Sequence, residues 1–239
     1  MIMGTNMTTN MTMGTIMADP RALYRLMSWL SPSYPVGAFA YSHGLEQAVE
    51  IGRVTDARTL TDWVDAVLIH GTGSVDGPLF RETYAAVWAQ NWSALDEITM
   101  LGAAFQASAE FALESRSQGD AFVKATRAAW PAEVLDRLSD GAVYPVAVAA
   151  ACAAHAIPLE DGLAAYFHAF TANLVSAGVR LVPLGQSDGQ AVLAALEASV
   201  VRAQQRAVTI PLDDLGSAAP LIDFDSLFHE TQYSRLFRS

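Results

Sequence analysis

From Pro158 to Val182 the chain carries one unbroken helical period, and this segment constrains the fold more than any other. With about 100° between successive residues, Leu163, Phe167, Phe170, Leu174 and Leu181 fall on one narrow stripe. The opposite side is small: Ala165, Ala169, Ala172 and Ser176 recur at helical spacing, flanked by Asn173 and Arg180. A helix that is bulky and apolar on one side and small on the other is covered on both. Its second cover is either another helix of the same bundle or a helix from a second copy, and the pattern leaves both open.

The rest of the chain repeats the period in shorter pieces. Asp19 and Pro20 open a helix with Leu23, Leu26, Met27 and Leu30 on one face. A loop follows, because Pro32 and Pro35 with Gly37 oppose regular structure. A short helix is predicted from His43 to Gly52, and Thr59 with Asp62 resembles a capping box before Leu60 and Trp63. Pro78 is read as the start of the next helix. Ser93 with Asp96 opens one that runs past Phe105 toward Ser117, and 120–130, 132–139 and 145–156 are separate short helices. Ser187 and Gln190 cap the last long one. After Thr209, Pro211, Gly216 and Pro220 interrupt the period, leaving only a turn at Asp223 to Phe228. No segment alternates like a strand for long. The expectation is all-α: a single-domain bundle of about ten helices with an irregular C-terminal tail. Residues 1–18, Met-rich and without a basic start or apolar run, read as a disordered leader, 19–208 as the helical domain and 209–239 as an extended partner-binding tail.

Charge narrows the function. The net charge is −11, the wrong sign for a chain that grips phosphates, so nucleic acid is not an expected partner. The lone lysine, Lys124, lies between Val123 and Ala125 and not in a phosphate-binding loop, so nucleotide hydrolysis would fall to a partner. One cysteine, Cys152, excludes an internal disulfide and fits a reducing cytoplasm, and no stretch reads as a membrane span.

Candidate sites are few. Cys152 and His155 stand at a metal-ligand spacing, but no second pair is apparent and a packed core is the simpler reading. His229-Glu230 suggests acid–base chemistry, yet Tyr233 stands where a zinc protease has its second histidine. Neither a catalytic centre nor a resident cofactor is expected. The segment Ser31 to Glu46 fixes an unusual backbone path, with Phe39, Tyr41 and His43 close behind its prolines. The last nine residues carry Arg235 and Arg238 and no acid, with Leu236 and Phe237 between them. Aromatic and arginine side chains at an end without helical period read as anchors for a partner, and deleting them is expected to leave the helical body intact.

Taken together these segments resemble the urease accessory protein family UreF. The likeness is carried by Ser31-Pro32, Pro35-Val36-Gly37-Ala38-Phe39, Tyr41-Ser42 and Gly44-Leu45-Glu46, then Glu114-Ser115-Arg116 with Gly119. It continues through Val179 to Gln186 with Gln190, and closes on His229-Glu230, Gln232-Tyr233 and Ser234 to Ser239. The matches run in order from about residue 25 to the C-terminus, with no recognisable motif between 72 and 103. The resemblance implies a cytoplasmic, helical homodimer that binds the UreD/UreH accessory protein and recruits the GTPase UreG. Through that complex it serves the urease apoprotein, into whose active site nickel is inserted. It would act as chaperone and adaptor, without enzymatic activity or a bound metal of its own. The alternatives are a GTPase-activating protein supplying Arg180, Arg235 or Arg238 in trans, and a nickel-binding chaperone using Cys152, His155 or His229. Partner or interface residues implied on these motifs are Pro35, Gly37, Phe39, Tyr41, His43, Glu46, Glu114, Arg116, Asn173, Arg180, Gln186, His229, Glu230, Tyr233, Arg235, Phe237 and Arg238.

Overall fold

The computed structural model describes residues 19–239, so the expected leader lies outside the described residues. Among them the chain is all-α, with no strand. The helices are α1 (Pro20–Trp29), α2 (Leu45–Glu50), α3 (Ala57–Ile69), α4 (Thr72–Trp88), α5 (Trp92–Ala104) and α6 (Ala109–Ala129). They continue with α7 (Glu133–Arg137), α8 (Tyr144–Ala154), α9 (Leu159–Leu181), α10 (Gln186–Ala195), α11 (Glu197–Thr209) and α12 (Pro220–His229). None of the described helices is long and apolar enough to cross a membrane.

The centre is α8, whose residues Pro145 to Ala153 are all buried. Its side chains are mostly alanine and valine, so α4, α6 and α9 all close against it. Around this hub Trp29 meets Phe122 and Trp130 edge-on, with centroids 6.0 and 5.9 Å apart. Where α6 passes the start of α8, a Cβ on Gly119 would lie 1.9 Å from the Ala142 carbonyl oxygen, so only glycine allows this approach. The long helix α9 follows the predicted period: Leu163, Phe167 and Leu174 are fully buried. Its small face is roofed in part by the Ser31–Phe39 loop, leaving a groove of about 180 Å³ lined by Ala169, Ala172, Asn173 and Ser176.

Several boundaries differ from the sequence expectation. Helix α3 begins at Ala57, because Asp56 accepts from Thr59 N at 2.7 Å and the Thr59 hydroxyl accepts from Asp56 N. Thr59 is thus the last residue of the capping box, at N3, and not its first. Pro78 lies inside α4, where Gly77 before it presents no Cβ for the ring to strike. The helix from Ser93 toward Ser117 is two: the chain turns at Phe105–Ala107, Ser108 caps α6 by accepting from Phe111 N, and α6 runs through Asp120 to Ala129. Helix α10 is capped by the Asp188 carboxylate accepting from Gly185 N, and Leu196 divides it from α11.

The largest difference lies after Thr209. Instead of an isolated turn the chain forms α12, ten residues opened by Pro220 at its first position. Its buried face is Ile222, Asp225, Ser226 and His229, mostly polar, while Leu221, Phe224 and Phe228 face outward and are half or more exposed. The helix has the ordinary period with its polarity reversed, which hides it from a search for inward apolar residues.

Candidate partner-binding site

The reversed helix and the chain end are held to the body by a buried polar cluster. The cluster starts at the turn before α2, where His43 and Gly44 both take positive φ, 60° and 79°. Gly44 also lies under α12: a Cβ there would come within 3.0 Å of Ser226 N. Both demands at one position select glycine. This turn aims Ser42, His43 and Glu46 into the gap between α6 and the tail.

Glu46 accepts from Leu236 N at 2.6 Å through one oxygen and from Phe237 N at 3.0 Å through the other, which also faces His229 Nε2 at 3.0 Å. On α6, Glu110 faces His229 Nδ1 at 2.7 Å and accepts from Arg235 Nη1 at 2.8 Å. The fully buried His229 ring therefore stands between two carboxyl groups, one at each ring nitrogen. Burial pushes the Glu110 carboxyl up, while the bond from His229 and the charges of His229 and Arg235 draw it back.

One helical turn along α6, Glu114 faces His43 Nδ1 at 3.2 Å and accepts from the Ser239 hydroxyl at 2.7 Å. His43 is further fixed by Thr72 at 2.7 Å and by stacking on Phe111, with centroids 3.9 Å apart. Ser42 donates to Ser239 O through its backbone N–H and its hydroxyl, at 2.9 and 2.5 Å, and Arg238 N donates to Ala40 O at 2.8 Å. On the outer side Arg180 Nη1 donates to Phe39 O at 2.9 Å. Its guanidinium sits over the rings of Phe39 and Phe237, at 3.7 and 4.3 Å from their centroids. Beyond the cluster, the Arg53–Asp225 ion pair and the Ser108–Ser226 hydrogen bond tie down the rest of α12.

Phe39, His43, Glu46, Glu114, Arg180, His229, Arg235 and Phe237, scattered over the sequence, thus converge on one latch, with Tyr41 buried beside it. Phe237 points into its own body and is not free to anchor a partner. Residues 231–239 are therefore part of the fold, because their bonds satisfy the buried carboxylates Glu46, Glu110 and Glu114. Tyr233 and Arg238 remain exposed, as do Glu230, Pro35 and Gly37. Asn173 lines the α9 groove, while Arg116 reaches the Ala103 carbonyl and Gln186 starts α10, both apart from the latch. Cys152 is fully buried and His155 Nε2 bonds the Trp130 carbonyl at 3.1 Å, so the two do not converge. Sequence reasoning missed Glu110, Ser42, Thr72 and Ser239. The available signal was the pair Glu110 and Glu114, one turn apart on a helix otherwise buried on that side.

The UreF family model matches residues 54–197. The chain belongs to the UreF family. A urease accessory protein UreF of Granulibacter bethesdensis is 51% identical over 222 residues, covering 91% of this chain and 94% of the relative. UreF of Rhodopseudomonas palustris strain BisB5 is 52% identical, covering 91% of each chain. That of Bradyrhizobium diazoefficiens is 49% identical over 225 residues, covering 92% of this chain and 93% of its own. The family model covers the latch residues Glu110, Glu114 and Arg180 but stops short of the 31–46 segment and the 229–239 end. The full-length relatives span most of the chain and so set this UreF-family protein among urease accessory proteins, that is, urease maturation factors.

Proposed function

We propose that this chain is the adaptor of a cytoplasmic urease-maturation complex, binding a UreD/UreH-type accessory protein and recruiting a UreG-type GTPase. Nickel passes through that complex to urease as cargo. The observation that carries the reading is α12: the latch holds it folded with Leu221, Phe224 and Phe228 turned outward. Contiguous exposed apolar residues on a chain this acidic mark a contact surface, and a prefixed helix binds without the cost of ordering. We assign the accessory protein to this stripe and the exposed Leu236. We assign the GTPase to the loop carrying Pro35, Gly37 and Phe39, with Tyr233 and Arg238. The α9 groove is the face for a second copy, in keeping with the homodimer that the family implies.

Co-expression of the tagged chain with both partners tests this. Phe224→Asp should lose the accessory protein by at least tenfold while its melting temperature stays with wild type. Undiminished capture would refute the assignment. A second reading, arginine supplied in trans to the GTPase, retains one free candidate in Arg238, since Arg180 and Arg235 are tied within the fold. GTP hydrolysis unchanged between wild type and Arg238→Ala would eliminate it.

A further inference from the structure

Behind the latch, where α4, α6 and α9 meet, lies a small cavity of about 20 Å³. A buried water needs roughly 10–15 Å³ and two to four polar partners, so the space takes one water and no larger molecule. Phe111 and Phe170 form part of its wall, and its polar lining includes Thr72, Asp76, Glu114 and Gln118. Asp76 is only 4% exposed; its Oδ2 accepts from the Tyr166 hydroxyl at 2.6 Å, while its Oδ1 is buried without a protein partner. Leaving that oxygen unbonded is costly, and the cavity beside it has room for a partner. A neighbouring hollow that Thr72 and Asp76 also line is about 10 Å³, at the lower limit for a water.

The position of one proton fixes how such a water lies. Burial pushes the Asp76 carboxyl up to about 7, so on the acid side of neutrality it carries a proton. Tyr166 donates to Oδ2, which marks Oδ2 as the carbonyl-type oxygen and leaves the hydrogen on Oδ1, where it needs an acceptor. On α6, Glu114 offers acceptors: Oε1 takes the Gln118 amide at 3.3 Å, while Oε2 takes the Ser239 hydroxyl and faces His43 Nδ1. A water can accept from Asp76 and donate to Glu114. A sodium or ammonium ion has no lone pair with which to accept.

We propose that this cavity binds one water molecule, which accepts from Asp76 on α4 and donates to Glu114 on α6, joining the core to the latch. Thr72, already bonded to His43 at 2.7 Å, and Gln118 supply its remaining partners. The site stands on the latch geometry alone and does not depend on which partner docks on α12. It makes Asp76 a positioning residue for the chain end, since Glu114 holds the Ser239 hydroxyl and Ser239 O in turn accepts from Ser42 N.

Two substitutions separate the water from mere packing. Asparagine copies the protonated acid, accepting from Tyr166 through its oxygen and donating to the water through its nitrogen, whereas leucine has the size and neither bond. Crystals of the full chain and of Asp76→Asn, grown on the acid side of neutrality, should each show one water within hydrogen-bond distance of both the residue 76 side chain and Glu114. A wild-type cavity without such a water, or a water that reaches Asp76 and not Glu114, would overturn the proposal. In solution, amide exchange at Ser42 and Arg238 is taken relative to the α8 amides, so that a general loss of stability cancels. It should be at least tenfold faster in Asp76→Leu than in Asp76→Asn, and equal rates would overturn the link to the latch. Should Asp76→Leu not fold, the crystals decide alone. Wild type should also melt alike in sodium, potassium and ammonium chloride at equal ionic strength; a preference for one cation would make the occupant an ion and overturn the proposal.

Discussion

Replacing Glu46 with glutamine changes two atoms' chemistry and almost no volume, so its effect isolates the latch. The carboxylate takes three contacts, from Leu236 N, Phe237 N and His229 Nε2. A glutamine has one acceptor oxygen, and its amide nitrogen would meet a donor wherever it pointed. At least one buried N–H is then orphaned, and the His229 ring loses one of its two anionic neighbours. A charge-assisted hydrogen bond is worth about 1.5–3 kcal/mol, and removing one partner of a buried pair costs about 3–5 kcal/mol. The expected loss is about 3–5 kcal/mol, within the roughly 5–15 kcal/mol of a folded domain, so the chain stays folded but weakened. For a domain of this size that is a fall of roughly 6–20 °C in melting temperature. Calorimetry measures the fall, and amide exchange locates it: Leu236 and Phe237 should lose protection before the α8 core does. A melting temperature within about 1 °C of wild type, or unchanged exchange at those two amides, would show that the carboxylate does not hold the tail.

Two further outcomes follow from the same packing. Deleting residues 231–239 removes the Phe237 ring from under Arg180 and strips bonds from Glu46, Glu110 and Glu114, so the truncated chain should melt well below wild type in circular dichroism; an unchanged melt would return these residues to the status of a free tail. Burial pushes Asp76 up from 3.8 to about 7 despite the bond from Tyr166, so the folded state keeps a proton that the unfolded chain releases, and stability falls as pH rises through that window. Asp76→Asn cannot titrate, so in urea unfolding its stability relative to wild type should rise by roughly 3–4 kcal/mol between pH 4.5 and 8, and a constant difference would refute this.

What the sequence made legible, and what it hid, follows from how each element meets water. Helix α9 was readable because its bulky residues face inward; the start of α1 was readable from Asp19 and Pro20, but of its expected face Leu23 and Met27 are exposed, and Ala22, Leu26 and Trp29 are buried. The break at Phe105–Ala107 was not, because Phe105 continues the apolar spacing while Ser108 ends it only through a cap and a bond to Ser226, more than a hundred residues on. The latch residues stood out as motifs, but their role did not, since a buried carboxylate and an exposed one are the same letter. His229 could be read as a catalytic base, a metal ligand or a partner contact; two carboxyl groups within 3.0 Å make it a structural bridge instead. The same reversal explains α12. A helix that buries Asp225, Ser226 and His229 gains little from the hydrophobic effect on that face, and its apolar residues gain none while they remain in water. Polar bonds therefore hold it in place, and on the proposed reading its apolar burial comes only when the accessory protein covers it. An isolated chain should accordingly open first at α12 and its latch, and the accessory protein should protect those amides more than any others. If exchange in the complex slowed equally across α4, α8 and α12, binding would be stabilising the whole fold and α12 would not be the surface left waiting.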